Sequence, residues 1–258
     1  AAMTTNRGGR RGGRGSGSRM TSVELKNARR HKPSSQRWLR RQLNDPYVVE
    51  AQKLGYRSRA AFKLQQLDEK FHFLKSGQKV VDLGAAPGGW TQIAVDIVGA
   101  GKGKGTVIGI DLLEMEPVPG ADLFQGDFMT DEGLAALRER MPEQVDVVLS
   151  DMAASTTGHA PTDHLRTAAL CEAAFEFALE VLAEGGSFVA KVFKGGSEQE
   201  MLRQMKLAFR VVRHAKPAAS RPESPEAYVV CTGFRGLAGK GPENSSTEDE
   251  QDDDGSDA

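Results

Sequence analysis

The chain has 258 residues, of which 39% are hydrophobic and 27% are charged, and its formal net charge is −1. This length suits one large α/β domain with tails. The absence of any apolar run near 18 residues argues against a membrane span. Cys171 and Cys231 lie in separate apolar segments without a C-x-x-C partner, which excludes a disulfide scaffold and a cysteine zinc site and favours a cytoplasmic location.

The near-neutral net charge conceals oppositely charged ends. Residues 1–41 carry twelve Lys/Arg and one acid, whereas residues 243–258 carry eight acids and no base. The Gly/Arg-rich segment 6–19 has too little apolar surface to fold alone, and it is typical either of an RNA-binding arm or of a solvated tail. We therefore predict a disordered basic extension over 1–34, a folded domain over 35–237 and a disordered acidic tail over 238–258.

Short apolar runs alternate with helical patterns between the two tails. Strands are predicted over 79–83, 106–111, 121–127, 145–151, 186–193, 209–216 and 227–234, and helices over 90–98, 132–141, 162–183 and 198–209. The longest helix is expected to bury one stripe, formed by Leu165, Ala169, Ala173, Phe177 and Val181. The alternation predicts an α/β fold with a mostly parallel seven-stranded sheet and helices on both faces. The short link before the last strand makes that strand antiparallel.

A glycine-rich turn over 84–89 (GAAPGG) follows the first predicted strand and leads into a helix that begins with Trp90. Small residues allow a ligand to approach the backbone at this edge of an α/β sheet. The G-x-x-x-G-G spacing fits a dinucleotide fingerprint poorly, and a phosphate loop would need G-K-[ST]. Asp82 would repel a polyphosphate but could attract the ammonium of a cationic cofactor such as S-adenosyl-L-methionine.

Acidic residues stand at or just after the ends of four successive predicted strands. Asp111 is placed to hold ribose hydroxyls, and Asp127 is placed to reach an adenine amino group. The predicted cofactor-binding residues are Asp82, Gly84, Gly88, Trp90, Asp111, Asp127 and Asp151.

Lys191 lies inside an otherwise apolar predicted strand, where an unpaired cation is costly. A lysine at a strand end can reach solvent along its own stem. Because Asp151 ends another predicted strand of the same sheet, we interpret Lys191 as functional and paired with this acid.

Seven segments between residues 35 and 234 form a consistent series. They are 35–39 (SQRWL), 45–64 (DPYVVEAQKLGYRSRAAFKL), 80–90 (VVDLGAAPGGW), 126–128 (GDF), 150–153 (SDMA), 185–193 (GGSFVAKVF) and 220–229 (SRPESPEAYV). In this order they resemble the FtsJ/RrmJ family of ribosomal RNA 2′-O-methyltransferases. The residues after Asp151-Met152-Ala153 depart from the family, since Ala154-Ser155 replace its usual Pro-Asn.

The resemblance implies a class I Rossmann-like enzyme that uses S-adenosyl-L-methionine. Its expected reaction is methylation of the ribose 2′-hydroxyl of a uridine in large-subunit (23S) ribosomal RNA, on the assembled 50S particle, by a cytoplasmic monomer. Two alternatives stay open: transfer RNA or a messenger cap as the substrate, and a non-catalytic ribosome-assembly factor. No metal is expected, although His159 and His164 lie near Asp163, because this methyl transfer needs none.

The resemblance also implies a catalytic Lys-Asp-Lys-Glu tetrad, which corresponds here to Lys63, Asp151, Lys191 and Glu226. In one hypothesis Lys191 is the proton acceptor for the 2′-hydroxyl, with Lys63 and the cofactor's sulfonium lowering its pKa. In the other, Lys191 stays charged and stabilises a developing alkoxide. Asp151 and Glu226 raise the same pKa, so the sequence leaves the net direction open.

A basic stretch precedes Lys63 in the sequence. Residues 26–41 include eight Lys, Arg and His residues around Trp38, and Arg57 and Arg59 continue the stretch. Such clusters are typical of phosphate contacts with an aromatic that stacks on a base, and Arg221 could join them. A solvated basic helix with Trp38 packed in the core is the alternative.

Overall fold

The computed structural model describes residue 42 and residues 44–155, 157–193 and 199–236. The chain divides into two units, 1–49 and 50–258, and the whole sheet belongs to the second. Most of the basic extension, the acidic tail and the predicted boundaries at 34/35 and 237/238 lie outside the described residues, so these boundaries stay predictions. None of the helices in the described ranges is long and apolar enough to cross a membrane.

The described chain contains six α-helices and seven strands. The helices are α1 (Pro46–Leu54), α2 (Ala60–Phe71), α3 (Gly89–Val98), α4 (Asp131–Arg140), α5 (Ala160–Val181) and α6 (Gln199–Ala208). The strands are β1 (Lys79–Leu83), β2 (Thr106–Asp111), β3 (Ala121–Gln125), β4 (Val145–Ser150), β5 (Leu182–Phe193), β6 (Phe209–Ala215) and β7 (Glu226–Phe234). A short 3₁₀ turn, Ala100–Lys102, lies in the glycine-rich link before β2.

The strands form one seven-stranded sheet in the order β3-β2-β1-β4-β5-β7-β6. β1 to β5 pair in parallel, and β7 pairs antiparallel with both of its neighbours. This confirms the predicted mostly parallel sheet with an antiparallel last strand. The chain order reverses between β1 and β4, and ligands of open α/β sheets bind at the carboxyl ends of strands beside such a reversal.

Each face of the sheet has its own hydrophobic core. On one face, Val80 and Val147 pack in a cluster with residues of α2 and α3, such as Leu64 and Ile93. On the other face, Val81 and its strand neighbours pack with residues of α4, α5 and α6. Because successive strand residues point to opposite faces, helices cover both sides of the sheet, as predicted.

The predicted buried stripe of the longest helix is wrong in its first half. Leu165 is 64% exposed, and Ala169 is also exposed, whereas Thr167 and Cys171 are buried. The predicted stripe advances by four residues at a time, but a turn needs 3.6, so its direction drifts by about 160° between Leu165 and Val181. β5 also begins four residues earlier than predicted, and neither α1 nor α2 was among the predicted helices.

Candidate active site

The glycine-rich turn connects β1 to α3 at the carboxyl edge of the sheet. Gly84 and Gly88 have φ values of +75° and +111°, in the left-handed region that glycine tolerates. A Cβ atom on Gly84 would lie 2.6 Å from Cγ of Met152. Glycine therefore allows the segment after β4 to pack directly against the turn.

A cavity of about 400 Å³ opens beside this turn, within the size range of small-molecule sites. Of the predicted cofactor-binding residues, Gly84, Asp111, Asp127 and Asp151 line it. The rest of its wall is largely apolar. Leu112, Leu113 and Met129 belong to the wall and are more than half exposed. The cavity thus combines carboxylates with apolar surface at the ends of β1 to β4.

Main-chain hydrogen bonds fix two of the cavity's carboxylates. Asp111 accepts the amide N–H of Ala86 at 2.9 Å and that of Leu113 at 2.8 Å, and Asp127 accepts the N–H of Met129 at 2.9 Å. A carboxylate has about four acceptor positions, so both side chains retain capacity for ligand donors. The cavity therefore suits a ligand with hydroxyl and amino groups on an otherwise apolar body, as a nucleoside has.

Asp82 does not line the cavity, but it is fully buried in β1. The Thr91 hydroxyl donates to its Oδ2 at 2.7 Å, and Oδ1 finds no hydrogen-bond donor among the described residues. Burial, with a smaller effect from the nearby Asp151 and Asp111 carboxylates, raises the pKa of Asp82 to about 7. A nearby cation would relieve the free-energy cost of this partly unpaired carboxylate.

Gly88 and Trp90 also lie off the cavity wall. Gly88 precedes the first residue of α3. Trp90 is buried; its indole N–H donates to the main-chain oxygen of Ala60 at 2.9 Å, and its ring lies 5.6 Å from that of Tyr228. Gly88 is therefore part of the turn itself, and Trp90 anchors the start of α3 to Ala60 and Tyr228.

The four tetrad residues converge at the edge of the sheet. Nζ of Lys191 lies 2.9 Å from Oδ1 of Asp151 and 4.0 Å from Oε2 of Glu226, and Nζ of Lys63 lies 2.7 Å from Oε1 of Glu226. Nζ of Lys191 also donates to the main-chain oxygen of Asp151 at 3.1 Å. Two cations and two anions thus form one continuous, nearly buried network.

Strand register explains why two of these residues meet, and a helix adds a third. Lys191 on β5 pairs with Tyr228 on β7, and Phe193 pairs with Glu226. Lys191 and Glu226 therefore project from the sheet face on which Tyr228 packs. Tyr228 belongs to the cluster that includes α2 residues. α2 carries Lys63 on that face, so the pair with Glu226 closes the network.

Tyr228 is a member of this network that the sequence reasoning did not identify. Its side chain is fully buried, and its hydroxyl donates to Oδ1 of Asp151 at 2.7 Å. Burial and the nearby carboxylates raise its pKa well above the ordinary value, so it is a neutral donor. The available signal was register, because a residue two positions after Glu226 on a strand points to the same face.

A model of the FtsJ-like methyltransferase family matches residues 56–234, more than half of the chain. The chain belongs to the FtsJ-like methyltransferase family. A family of methyltransferases implies a methyl donor as cofactor, and the tetrad and the cavity both lie within the matched residues.

Known relatives agree with this membership. This FtsJ-like methyltransferase is 63% identical over 222 residues to Ribosomal RNA large subunit methyltransferase E of Paramagnetospirillum magneticum, covering 85% of this chain and 91% of the relative. It is 57% identical over 219 residues to the protein of the same name from Granulibacter bethesdensis, with coverages of 85% and 93%. The crystal structure of a protein from Plasmodium falciparum described as a ribosomal RNA methyltransferase superposes with a TM-score of 0.61 at 31% identity, covering 70% of this chain and 100% of that chain.

The charges of the tetrad set two pKa values in this FtsJ-like methyltransferase. Burial opposes ionisation of Asp151, but Lys191, Lys63 and the Tyr228 hydroxyl outweigh it, so the pKa of Asp151 lies below its ordinary value. Burial likewise opposes the ammonium of Lys191, but Asp151 and Glu226 outweigh it and raise the pKa of Lys191. Without ligand, Asp151 is therefore a carboxylate and Lys191 an ammonium.

Two arginines expected to contact RNA are engaged within the protein. The Arg57 guanidinium donates to the main-chain oxygens of Pro87, Glu116 and Pro117, and that of Arg59 donates to the main-chain oxygen of Ala219. The expected basic cluster at 26–41, including Trp38, lies outside the described residues. In the described part of the chain, the guanidinium groups of both arginines therefore bind main-chain oxygens of the protein itself.

Asp163 and His159 have local hydrogen-bond partners, and the ring of His164 packs against that of Phe193. Asp163 accepts hydrogen bonds from the N–H and the hydroxyl of Thr157, and Nδ1 of His159 lies 2.8 Å from the Thr162 hydroxyl. Within the described ranges, no three His, Cys, Asp or Glu side chains are grouped closely enough to hold a metal ion. The expectation of a metal-free reaction stays a prediction.

Proposed function

We propose that this FtsJ-like methyltransferase transfers a methyl group from S-adenosyl-L-methionine to the ribose 2′-hydroxyl of a uridine in 23S ribosomal RNA. The observation that carries the proposal is the network of Lys63, Asp151, Lys191 and Glu226 beside a cavity suited to a nucleoside. Relatives that match most of the chain are named ribosomal RNA large subunit methyltransferases. We extend the proposal to the assembled 50S particle as substrate and to a cytoplasmic monomer as the active form.

The cavity's donors and acceptors fit this cofactor. Asp111 would accept hydrogen bonds from the ribose hydroxyls, and Asp127 would accept one from the adenine amino group. Leu112 and Met129 offer apolar surface to the base. The partly unpaired Asp82 behind the turn would stabilise the ammonium. When bound, S-adenosyl-L-methionine supplies an electrophilic methyl group on a sulfonium.

The tetrad's task is to align the 2′-hydroxyl and to manage its proton. Asp151 and the main chain hold the Lys191 amine in one position, and Tyr228 holds Asp151 in turn. The pair of Lys63 with Glu226 fixes the other side of this amine. Such preorganised groups stabilise charge that develops on an oxygen without having to reorient during the reaction.

Lys191 is our proposed proton acceptor, and this role requires loss of the ammonium proton. In the ligand-free protein Asp151 and Glu226 raise the pKa of Lys191, so the role depends on added positive charge from the ligand. If the ammonium persists, Lys191 instead donates a hydrogen bond to the 2′-oxygen. A pH–rate profile of Lys191→Arg separates these two roles, because arginine cannot deprotonate. Near-full activity of this variant would rule out Lys191 as the proton acceptor.

The substrate is tested by measuring tritiated methyl transfer in parallel to free 23S rRNA, 50S particles and transfer RNA. We expect transfer to 23S rRNA, with 50S particles as the best acceptor, and mapping of the label to the 2′-oxygen of a uridine. Transfer to transfer RNA alone would overturn the substrate proposal. Intact cofactor binding without transfer to any of the three would favour a non-catalytic assembly factor.

A further inference from the structure

The segment that leads into α2 lies directly against the start of α3. Oε1 of Gln92 accepts the main-chain N–H of Arg57 at 2.9 Å, and the indole N–H of Trp90 donates to Ala60. A Cβ atom on Gly89 would lie 2.5 Å from Oγ of Ser58. The helix that bears Lys63 is therefore anchored to the helix that follows the glycine-rich turn.

The half-buried side chain of Arg57 joins two loops that flank the cofactor cavity. Its Nη1 donates to the oxygen of Pro87, at 3.3 Å, and to that of Glu116, and its Nη2 donates to the oxygen of Pro117 at 2.6 Å. Pro87 belongs to the glycine-rich turn, whereas residues 116 and 117 belong to the loop between β2 and β3. Both loops also contribute residues to the cavity wall, among them Ala86 and Leu113.

Arg59 makes a comparable contact on the side of the tetrad. Its Nη2 donates to the oxygen of Ala219 at 2.7 Å, and Oε1 of Gln66 accepts the N–H of the same residue at 2.8 Å. Ala219 is fully buried in the loop between β6 and β7. That loop leads into Glu226, the first residue of β7 and the partner of Lys63.

We propose that Arg57 and Arg59 are positioning residues, with Arg57 holding together the two loops that wall the cofactor cavity and Arg59 holding the loop that leads to Glu226. The assignment rests on the proposed function for the meaning of the site. A guanidinium offers five donors in a planar fork, which suits carbonyl oxygens from separate loops. Lysine keeps the positive charge but offers no such fork.

The alternative is that these arginines contact RNA phosphates, and Arg57→Lys distinguishes the two roles. We expect Arg57→Lys to weaken binding of S-adenosylhomocysteine, measured calorimetrically without RNA, by about tenfold, because binding must then order two loops that have lost hydrogen bonds from a charged group. We also expect faster hydrogen exchange of amides in 84–89 and 112–120 in the ligand-free protein. In Arg57→Gln, which also removes the positive charge, the salt dependence of RNA binding should stay that of the wild type, because only a phosphate contact would alter it. Arg59→Lys should instead speed exchange in 217–225.

Arg213→Lys is the matched control, because it makes the same substitution at an exposed position of β6, away from both loops. It should alter neither cofactor affinity nor exchange in these loops. Unchanged cofactor affinity and loop exchange in Arg57→Lys would overturn the proposal, and a weaker salt dependence of RNA binding in Arg57→Gln would then assign Arg57 to phosphate contacts. Global unfolding of Arg57→Lys would also overturn it, since the role is local. Failure of the proposed function would appear separately, as a wild-type protein that binds no cofactor or transfers no methyl group.

Discussion

Replacing Asp82 with asparagine should stabilise the protein more at pH 8 than at pH 5, in each case compared with the wild type at the same pH. Asp82 is fully buried in β1, the Thr91 hydroxyl is the one donor to its carboxyl group among the described residues, and burial raises its pKa to about 7. The ordinary value is 3.8. Between these two values the folded protein binds more protons than the unfolded chain, so this carboxyl group lowers stability as the pH rises from about 4 to 7. Asparagine has the same shape and no charge.

The size of the effect follows from the two pKa values. Each pKa difference of one corresponds to about 1.4 kcal/mol, so the penalty of the ionised group is about 4 kcal/mol at pH 8. Part of it, about 2 kcal/mol, is already present at pH 5. The free energy of unfolding of Asp82→Asn minus that of the wild type should therefore rise by about 2–3 kcal/mol between pH 5 and pH 8.

Urea unfolding of both proteins at pH 5, 6, 7 and 8 measures this difference. A constant offset from an imperfectly paired asparagine amide does not affect the trend with pH. Asp96→Asn provides the control, because it makes the same substitution at an exposed position of α3 and should give no such trend. If the difference for Asp82→Asn is flat across this pH range, burial does not raise the pKa of Asp82 in the folded protein.

Two further substitutions test the tetrad network. Tyr228→Phe removes the donor to Asp151 and should slow methyl transfer about tenfold, because a lost hydrogen bond to a charged group is worth about 1.5–3 kcal/mol. Cofactor affinity should change little. An equal loss of transfer and of cofactor affinity would mean that Tyr228 only supports the fold. Glu226→Gln leaves the nearly buried Lys63 without its partner and should lower the free energy of unfolding by about 3 kcal/mol. Adding Lys63→Met should restore part of this loss, and a double variant as unstable as the sum of the two single ones would contradict the pairing.

The sheet and the glycine-rich turn could be predicted because their signals are local. Apolar runs such as 79–83 and 145–150 end in residues that break a strand, and the turn's glycines follow the first run directly. The strand limits were therefore predicted to within a few residues. The carboxyl ends of parallel strands lie at one edge of the sheet, so acids at these ends could be predicted to lie together. Three of the four acids line one cavity.

The remaining features depend on contacts that sequence position does not encode. The direction of the Lys191 pKa shift required the distances to Asp151 and Glu226, and the role of Tyr228 required the register between β5 and β7. Arg57 resembles a surface residue in sequence, because nothing local shows that carbonyl oxygens some 30 and 60 positions away accept its hydrogen bonds. The stripe of α5 was misplaced because a fixed step of four residues does not follow a helix over five turns.

The catalytic role of the tetrad is tested by Lys191→Ala, in which methyl transfer and cofactor affinity are measured on the same protein. Lys191 lies in the middle of the tetrad network, in contact with Asp151 and near Glu226, and it does not line the cofactor cavity. We expect transfer to 50S particles to be lost while the dissociation constant of S-adenosylhomocysteine stays within about threefold of the wild-type value. Retained transfer, or loss of cofactor binding in a folded protein, would contradict it.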